Sequence, residues 1–238
     1  LKALEGVHFR LHEKEIIGLI GPNGAGKTTV FNLLTDVYYP TNGEIELEGN
    51  SIVGKKTYQI TQNGIARTFQ NIRLFKDVTV LDNVKTAMTS RMKYSVLSGI
   101  FRLPAYRREE KEISEKAHAL LEVIGLNDKA YEMARNLPYG QQRKLEIARA
   151  LATSPKVLLL DEPAAGMNPT ETKELMETIR LIRDKFGLSI LLIEHDMSFV
   201  MGICEHLVVL DYGRIIAEGP PEEVRKDPKV IAAYLGGE

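Results

Sequence analysis

Gly21-Pro22-Asn23-Gly24-Ala25-Gly26-Lys27-Thr28 follows the pattern G-x-x-x-x-G-K-[ST]. In a loop of that pattern the backbone N–H groups and the lysine cradle nucleotide phosphates. The residues on either side decide whether the string carries that meaning. Upstream, Glu15-Ile16-Ile17-Gly18-Leu19-Ile20 reads as a short buried strand running directly into the loop. Downstream, Val30-Phe31-Asn32-Leu33-Leu34 reads as the first turns of a helix. Strand, glycine loop and helix start together aim free N–H groups and the positive end of the helix dipole at an anion. Residues 21–28, with Thr29 beside them, are therefore the candidate nucleotide site for ATP or GTP. Lys27 is expected to reach the β- and γ-phosphates and Thr28 to hold Mg²⁺. The rival reading, a glycine-rich turn with an incidental lysine, leaves the flanking strand and helix unexplained.

The bulk numbers narrow the class. A chain of 238 residues buries one good core with a subdomain attached. Hydrophobic residues at 44% and charged residues at 26% are ordinary for a globular protein, and no apolar run approaches bilayer length. Lys plus Arg (31) nearly cancel Asp plus Glu (32), which removes the footprint of a protein whose main task is gripping nucleic acid. The lone Cys204 has no second cysteine to complete a disulfide or a zinc site and reads as a buried small hydrophobe. A single thiol and no secretory signal fit a reducing, cytoplasmic compartment. The chain begins at Leu1 rather than Met, and its natural N-terminus is expected upstream.

Outward from the loop, Gly43-Glu44-Ile45-Glu46-Leu47-Glu48 alternates before a Gly49-Asn50 turn, the pattern of an antiparallel β element. From Val78 to Ser154 the β signals fade, and Ala117, Leu120, Leu121 and Ile124 recur at helical spacing before Gly125. That middle third reads as a helical insertion, residues 78–153, within an α/β core of residues 1–77 and 154–238. Val157–Leu160 and Ile190–Ile193 are apolar runs suited to parallel strands covered on both faces. Leu175, Ile179, Ile182 and Phe186 lie between them on one helical face, closing a βαβ unit. Asn168 can cap that helix, Pro169 suits its first position, Glu171 favours its dipole and Gly187 can end it. Leu207–Leu210 and Arg214–Glu218 flank Asp211-Tyr212-Gly213 as a hairpin.

Asp161 and Glu162 stand at the carboxyl end of the Val157 strand, where open α/β sheets place their ligands. Asp161 is expected to hold Mg²⁺, and Glu162 to polarise the water that attacks the γ-phosphate. His195, in Ile193-Glu194-His195-Asp196, has two readings: a γ-phosphate sensor that positions water, or a cap for the next helix. Gln70, in Arg67-Thr68-Phe69-Gln70, sits where core meets insertion and can touch Mg²⁺ or water; alone it also reads as a surface glutamine.

The segment Leu137-Pro138-Tyr139-Gly140-Gln141-Gln142-Arg143, continuing to Leu151, resembles the L-S-G-G-Q signature of the ABC (ATP-binding cassette) ATPases. It falls in that family's order, after the phosphate loop and Gln70 and before Asp161-Glu162 and His195. The resemblance implies an α/β, P-loop NTPase (RecA-like) core with an antiparallel β element and an inserted helical subdomain. It also implies ATP and Mg²⁺ as ligands and a head-to-tail dimer. ATP is then held between residues 21–28 of one chain and Tyr139, Gly140 and Gln141 of the other. Nucleotide joins two positive helix ends, so binding closes the dimer and hydrolysis opens it. Pro138 departs from the family serine, Tyr139 from a glycine, and Asn168 from an aspartate. Pro138 is expected as a first helical residue. The family's adenine-stacking aromatic belongs upstream of Leu1-Lys2-Ala3-Leu4.

Finer likeness points to the ATP-binding subunits of branched-chain amino acid importers. It is carried by Gly64–Phe75, Leu103–Glu110, Tyr139–Arg143 and Val230–Gly236. That family implies two membrane permease subunits, a second ATPase subunit, an external binding protein and a place at the cytoplasmic face of the membrane. Leu74 and Phe75 are candidate permease contacts, against plain core packing. The basic stretch Arg91–Arg108 has apolar residues interleaved; it reads as packing in the insertion or near the permease, with direct lipid contact as the alternative. Two rivals stay open. A lipid or lipopolysaccharide exporter ATPase shares the same motifs. A soluble ABC ATPase of DNA repair or translation would carry long heptads or a second cassette, and residues 78–153 show no sustained heptads.

Overall fold

Unbroken apolar runs become the inner strands of a mixed sheet. The computed structural model describes residues 2–89 and 104–235. The chain divides into two compact units, Leu1–Gln70 with Lys156–Glu238, and Asn71–Pro155. Arg91–Leu103, Leu1 and Gly236 lie outside the described residues, so the basic stretch is placed only from Pro104 onward.

In the first unit, β1 (Ile16–Ile20) leads through the phosphate loop into α1 (Lys27–Leu34). A two-residue hairpin, β2 (Glu46–Leu47) with β3 (Asn50–Ser51), forms the antiparallel element, followed by α2 (Thr57–Asn63) and β4 (Ile65–Arg67). After the second unit come β5 (Val157–Asp161), a long helix (Pro169–Phe186), β6 (Ser189–Ile193), a short helix (Met197–Ile203), β7 (His206–Asp211) and β8 (Arg214–Gly219). The sheet order is β4-β5-β6-β1-β7-β8; the first five strands are parallel and β8 is antiparallel to β7. The carboxyl ends of β5, β6, β1 and β7 therefore open on one edge of the sheet, and that edge collects the functional loops.

One face of the sheet is filled by Ile17, Leu19, Leu159, Leu191, Ile193, Val208 and Leu210 against Val30, Phe31 and Ile60. Each such side chain taken fully out of water contributes about 2 kcal/mol. The long helix starts as its sequence dictates: Asn168 Oδ1 accepts the N–H groups of Thr170 and Glu171 at 3.0 Å, and Gly187 ends it at φ +65°. Leu175, Ile179 and Ile182 are buried, but Phe186, the last residue of the helix, is 41% exposed.

The second unit is helical, built from Val80–Met88, Pro104–Val123 and Tyr139–Leu151 packed on one another around Val84, Ala117, Leu121, Leu145 and Ala148. It begins at Asn71, before the Val78 at which β signals fade. Residues 73–76 lack regular structure but are held by this unit through side chains and a backbone bond. Asn83 takes the N–H of Phe75 at 3.0 Å and donates to its carbonyl at 2.9 Å, while Arg135 N–H bonds Lys76 O at 3.2 Å. Such long-range ties leave no periodic trace in the sequence.

Candidate active site

The glycines of the loop are required by their surroundings. Gly21 sits at φ +145°, and a Cβ there would lie 2.0 Å from Leu210 O on β7. Gly26 sits at φ +109°, and its Cβ would meet Leu4 at 2.7 Å. The helix starts at Lys27 with Gly26 as its cap and no side chain bonding the first-turn amides. Those amides have no helical acceptor, so they are donors directed out of the helix end. Asn23, Gly24 and Thr28 are exposed, Pro22 and Thr29 half-buried, and Ala25 buried. Lys27 is buried and curls over the loop, donating from Nζ to Gly21 O (2.7 Å) and Pro22 O (2.9 Å). Burial lowers its pKa, and the carboxylate of Glu162 opposes that shift.

Three residues singled out from three separate stretches meet at one carboxylate. Gln70 Nε2 donates to Glu162 Oε2 at 2.7 Å, and His195 Nε2 lies 3.0 Å from Glu162 Oε1. Glu162 holds this place at φ +47°, a conformation rare for a residue of its kind. Its N–H is tied to Ile193 O at 2.9 Å, so β6 fixes the turn that leaves β5. His195 does not cap the next helix. Asp196 does, accepting the amides of Ser198 (2.8 Å) and Phe199 (3.3 Å), which leaves the imidazole directed at Glu162.

Asp161 is the last residue of β5 and buried, in an ion pair with Arg67 (Nη2 to Oδ2, 2.7 Å). Arg67 also donates to Asn32 Oδ1 at 2.8 Å and stacks between Phe31 and Phe69, its carbon 5.3 and 5.2 Å from the ring centroids. The guanidinium thus ties β4, α1 and β5 together beneath the loop. Sequence reasoning passed over it, because Ile65–Arg67 was not read as a strand and only pairing with β5 gives the residue its place. It also passed over Glu194, buried just past β6, whose oxygens accept the N–H groups of Ala164 (2.7 Å) and His195 (3.1 Å). Burial raises the Glu194 carboxyl above its usual range, and the backbone amides of Ala164, His195 and Asp196 only partly offset it. Glu194 thus holds the loop after Glu162 and the loop carrying His195 in one arrangement.

The signature residues lie in the other unit. Pro138 proves to be the cap, and the helix begins at Tyr139, since the extended ψ of 154° at Pro138 is not helical. The Tyr139 hydroxyl accepts from buried Arg143 at 3.3 Å; Gly140 is buried, and Gln141 Oε1 accepts from Lys129 Nζ at 2.9 Å. Arg143 in turn pairs with buried Glu146 at 3.0 Å. Phe75 is 50% exposed with the Arg149 guanidinium 4.8 Å from its ring centroid, so it is not a core residue; Leu74 is half-buried.

Among the described residues no helix is long and apolar enough to cross a membrane, and no cluster of three or more His, Cys, Asp or Glu offers a metal cage. Mg²⁺ does not need one, because it keeps several waters and takes one or two protein oxygens beside phosphate. The Thr28 hydroxyl and the Asp161 carboxylate fit that donor set.

Residues 4–165 match the ABC transporter family, and residues 214–238 match the branched-chain amino acid ATP-binding cassette transporter family. The high-affinity branched-chain amino acid transport ATP-binding protein BraF of Pseudomonas aeruginosa is 48% identical over 236 residues, 99% of this chain and 92% of that protein. LivG of Salmonella typhimurium, described in the same words, is 50% identical over 236 residues with the same coverage. An ATP-binding cassette of an ABC transporter, crystallised in its ADP conformation, superimposes with a TM-score of 0.85 at 34% identity, over 99% of this chain and 93% of that one. Likeness of this extent along nearly the whole chain, on a fold that opens a phosphate loop beside a strand-end carboxylate, makes the protein a member of the ABC transporter family and one of its ATP-hydrolysing cassettes.

Proposed function

We propose that this chain is the ATP-hydrolysing subunit of an importer for branched-chain amino acids, with Glu162 as the base of the reaction. The convergence of Gln70 and His195 on the Glu162 carboxylate, at the sheet edge that also carries the phosphate loop, supports this most. The loop amides and Lys27 bind the phosphates and stabilise charge developing on the γ-phosphate. Glu162 accepts a hydrogen bond, and then the proton, from the attacking water; His195 and Gln70 fix the direction of the carboxylate. Water adds to the γ-phosphorus as the bridging bond to ADP breaks, releasing ADP and phosphate. Thr28 and Asp161, with Gln70 beside them, would hold Mg²⁺, which would supply positive charge to the bound phosphates. Tyr139, Gly140 and Gln141 serve the nucleotide of a second ATPase chain, and Leu74 and Phe75 meet a membrane permease subunit at the cytoplasmic face.

The amino acid reading rests on the relatives, since nothing in an ATPase touches the cargo. Its test is purification of tagged, full-length Glu162→Gln chain from native membranes in mild detergent with ATP. Recovery of a multi-span permease and a second small ATPase is expected. The external binding protein encoded beside that permease should then bind leucine, isoleucine or valine. Recovery with ribosomes or DNA proteins, or alone, overturns the transport reading.

A further inference from the structure

The sheet order assigns a direction to the bound nucleotide. Glu162 and His195 follow β5 and β6, on one side of β1 and its loop; β7 lies on the other side. A nucleotide whose γ-phosphate points toward Glu162 therefore leaves its base toward the β7–β8 turn, Asp211-Tyr212-Gly213. That turn is fixed to the phosphate loop. Gly213 N–H bonds Ala25 O at 2.9 Å, Glu5 N–H bonds Gly213 O at 2.8 Å, and Arg214 pairs with Glu5 at 2.7 Å. Gly213 is also pressed so closely on Ala3 that a Cβ would fall 2.4 Å from Ala3 O.

On this rigid turn Tyr212 is 91% exposed and sits at φ +42°. A large aromatic in the left-handed region is an outlier, and asparagine or glycine would take that conformation with less strain. Neither packing nor turn chemistry therefore accounts for the phenol. We propose that Tyr212 contacts the base of the nucleotide, its ring forming an aromatic wall on the β7 side of the phosphate loop. The inference rests on the assignment of phosphates to residues 21–29. Every purine and pyrimidine has a π-face, so the ring adds affinity without reading a hydrogen-bond pattern.

The test is calorimetric binding of ATP and of inorganic tripolyphosphate to the full chain. Tyr212→Asn is expected to weaken ATP by about tenfold, the lower part of the range for losing one base stack, while leaving tripolyphosphate unchanged. Tyr212→Phe, which keeps the ring, should stay close to wild type. Unchanged ATP affinity in Tyr212→Asn overturns the proposal. So does an equal loss for both ligands, which would make Tyr212 a support for the loop, or a loss in Tyr212→Phe as large as in Tyr212→Asn. Lys27→Ala separates the two levels: it should lose both ligands, and retention of both overturns the phosphate assignment itself. Thermal melting of each variant checks the fold, which so exposed a side chain should leave intact.

Discussion

Glu162 carries two burdens, a strained backbone and a carboxylate shared between Gln70 and His195. Its replacement by glutamine keeps the shape and one acceptor oxygen but removes the carboxylate proposed as the base. Glu162→Gln should bind ATP as wild type does and lose hydrolysis by about a hundredfold or more; an undiminished steady-state rate removes Glu162 from that role. Glu194 yields a prediction about pH. Its carboxyl is raised by burial, so the folded chain retains a proton that the unfolded chain has already released. Stability then declines as pH rises from the ordinary carboxylate value through the raised one. Glu194→Gln lacks that titration and keeps an oxygen for Ala164 N–H. As pH rises from the ordinary carboxylate value through the raised one, the melting temperature of the variant should rise relative to wild type. A difference that stays flat would mean that Glu194 titrates alike in folded and unfolded chains. Cys204 is buried with its thiol pKa pushed far up, first by burial and then by Glu205 and Glu194, in keeping with a small hydrophobe rather than a reactive group.

At the scale of elements, the helix Pro169–Phe186 is the best-specified part of the chain. Asn168 and Glu171 form a reciprocal capping box, Glu171 Oε2 accepting the Asn168 N–H at 3.1 Å. Asn168→Ala should destabilise the fold by about 1 kcal/mol in urea unfolding, whereas Asn168→Asp should equal or exceed wild type, because it caps as well and adds charge at the positive helix end. If alanine is neutral, the capping bonds do not count. Arg67 joins three elements, and its pair with Asp161 is almost wholly buried. Arg67→Ala strands that carboxylate and should cost about 3 kcal/mol or more in the same measurement.

At the scale of the whole molecule, the phosphate loop and the signature helix belong to different compact units. The dimer that the family resemblance implies gives both a role in one nucleotide site. Sedimentation of Glu162→Gln should show a species of twice the monomer mass with ATP and monomer with ADP; monomer under both conditions would count against nucleotide as the joining element.

Local chemistry determined much of this protein in advance. The phosphate loop, the apolar strands, the Asn168 cap and the two hairpins follow from the conformations that neighbouring residues prefer; Glu162 and His195 stood out as candidates from their places after strands, and Gln70 from its place where core meets insertion. What sequence left open was contact between residues far apart in the chain. Whether His195 capped a helix or faced a carboxylate depended on Asp196 taking the cap. Arg67 and Glu194 gained their roles only when parallel pairing set β4, β5 and β6 side by side. Side-chain type and spacing encode the first kind of information; strand order and register, fixed by the whole core at once, decide the second.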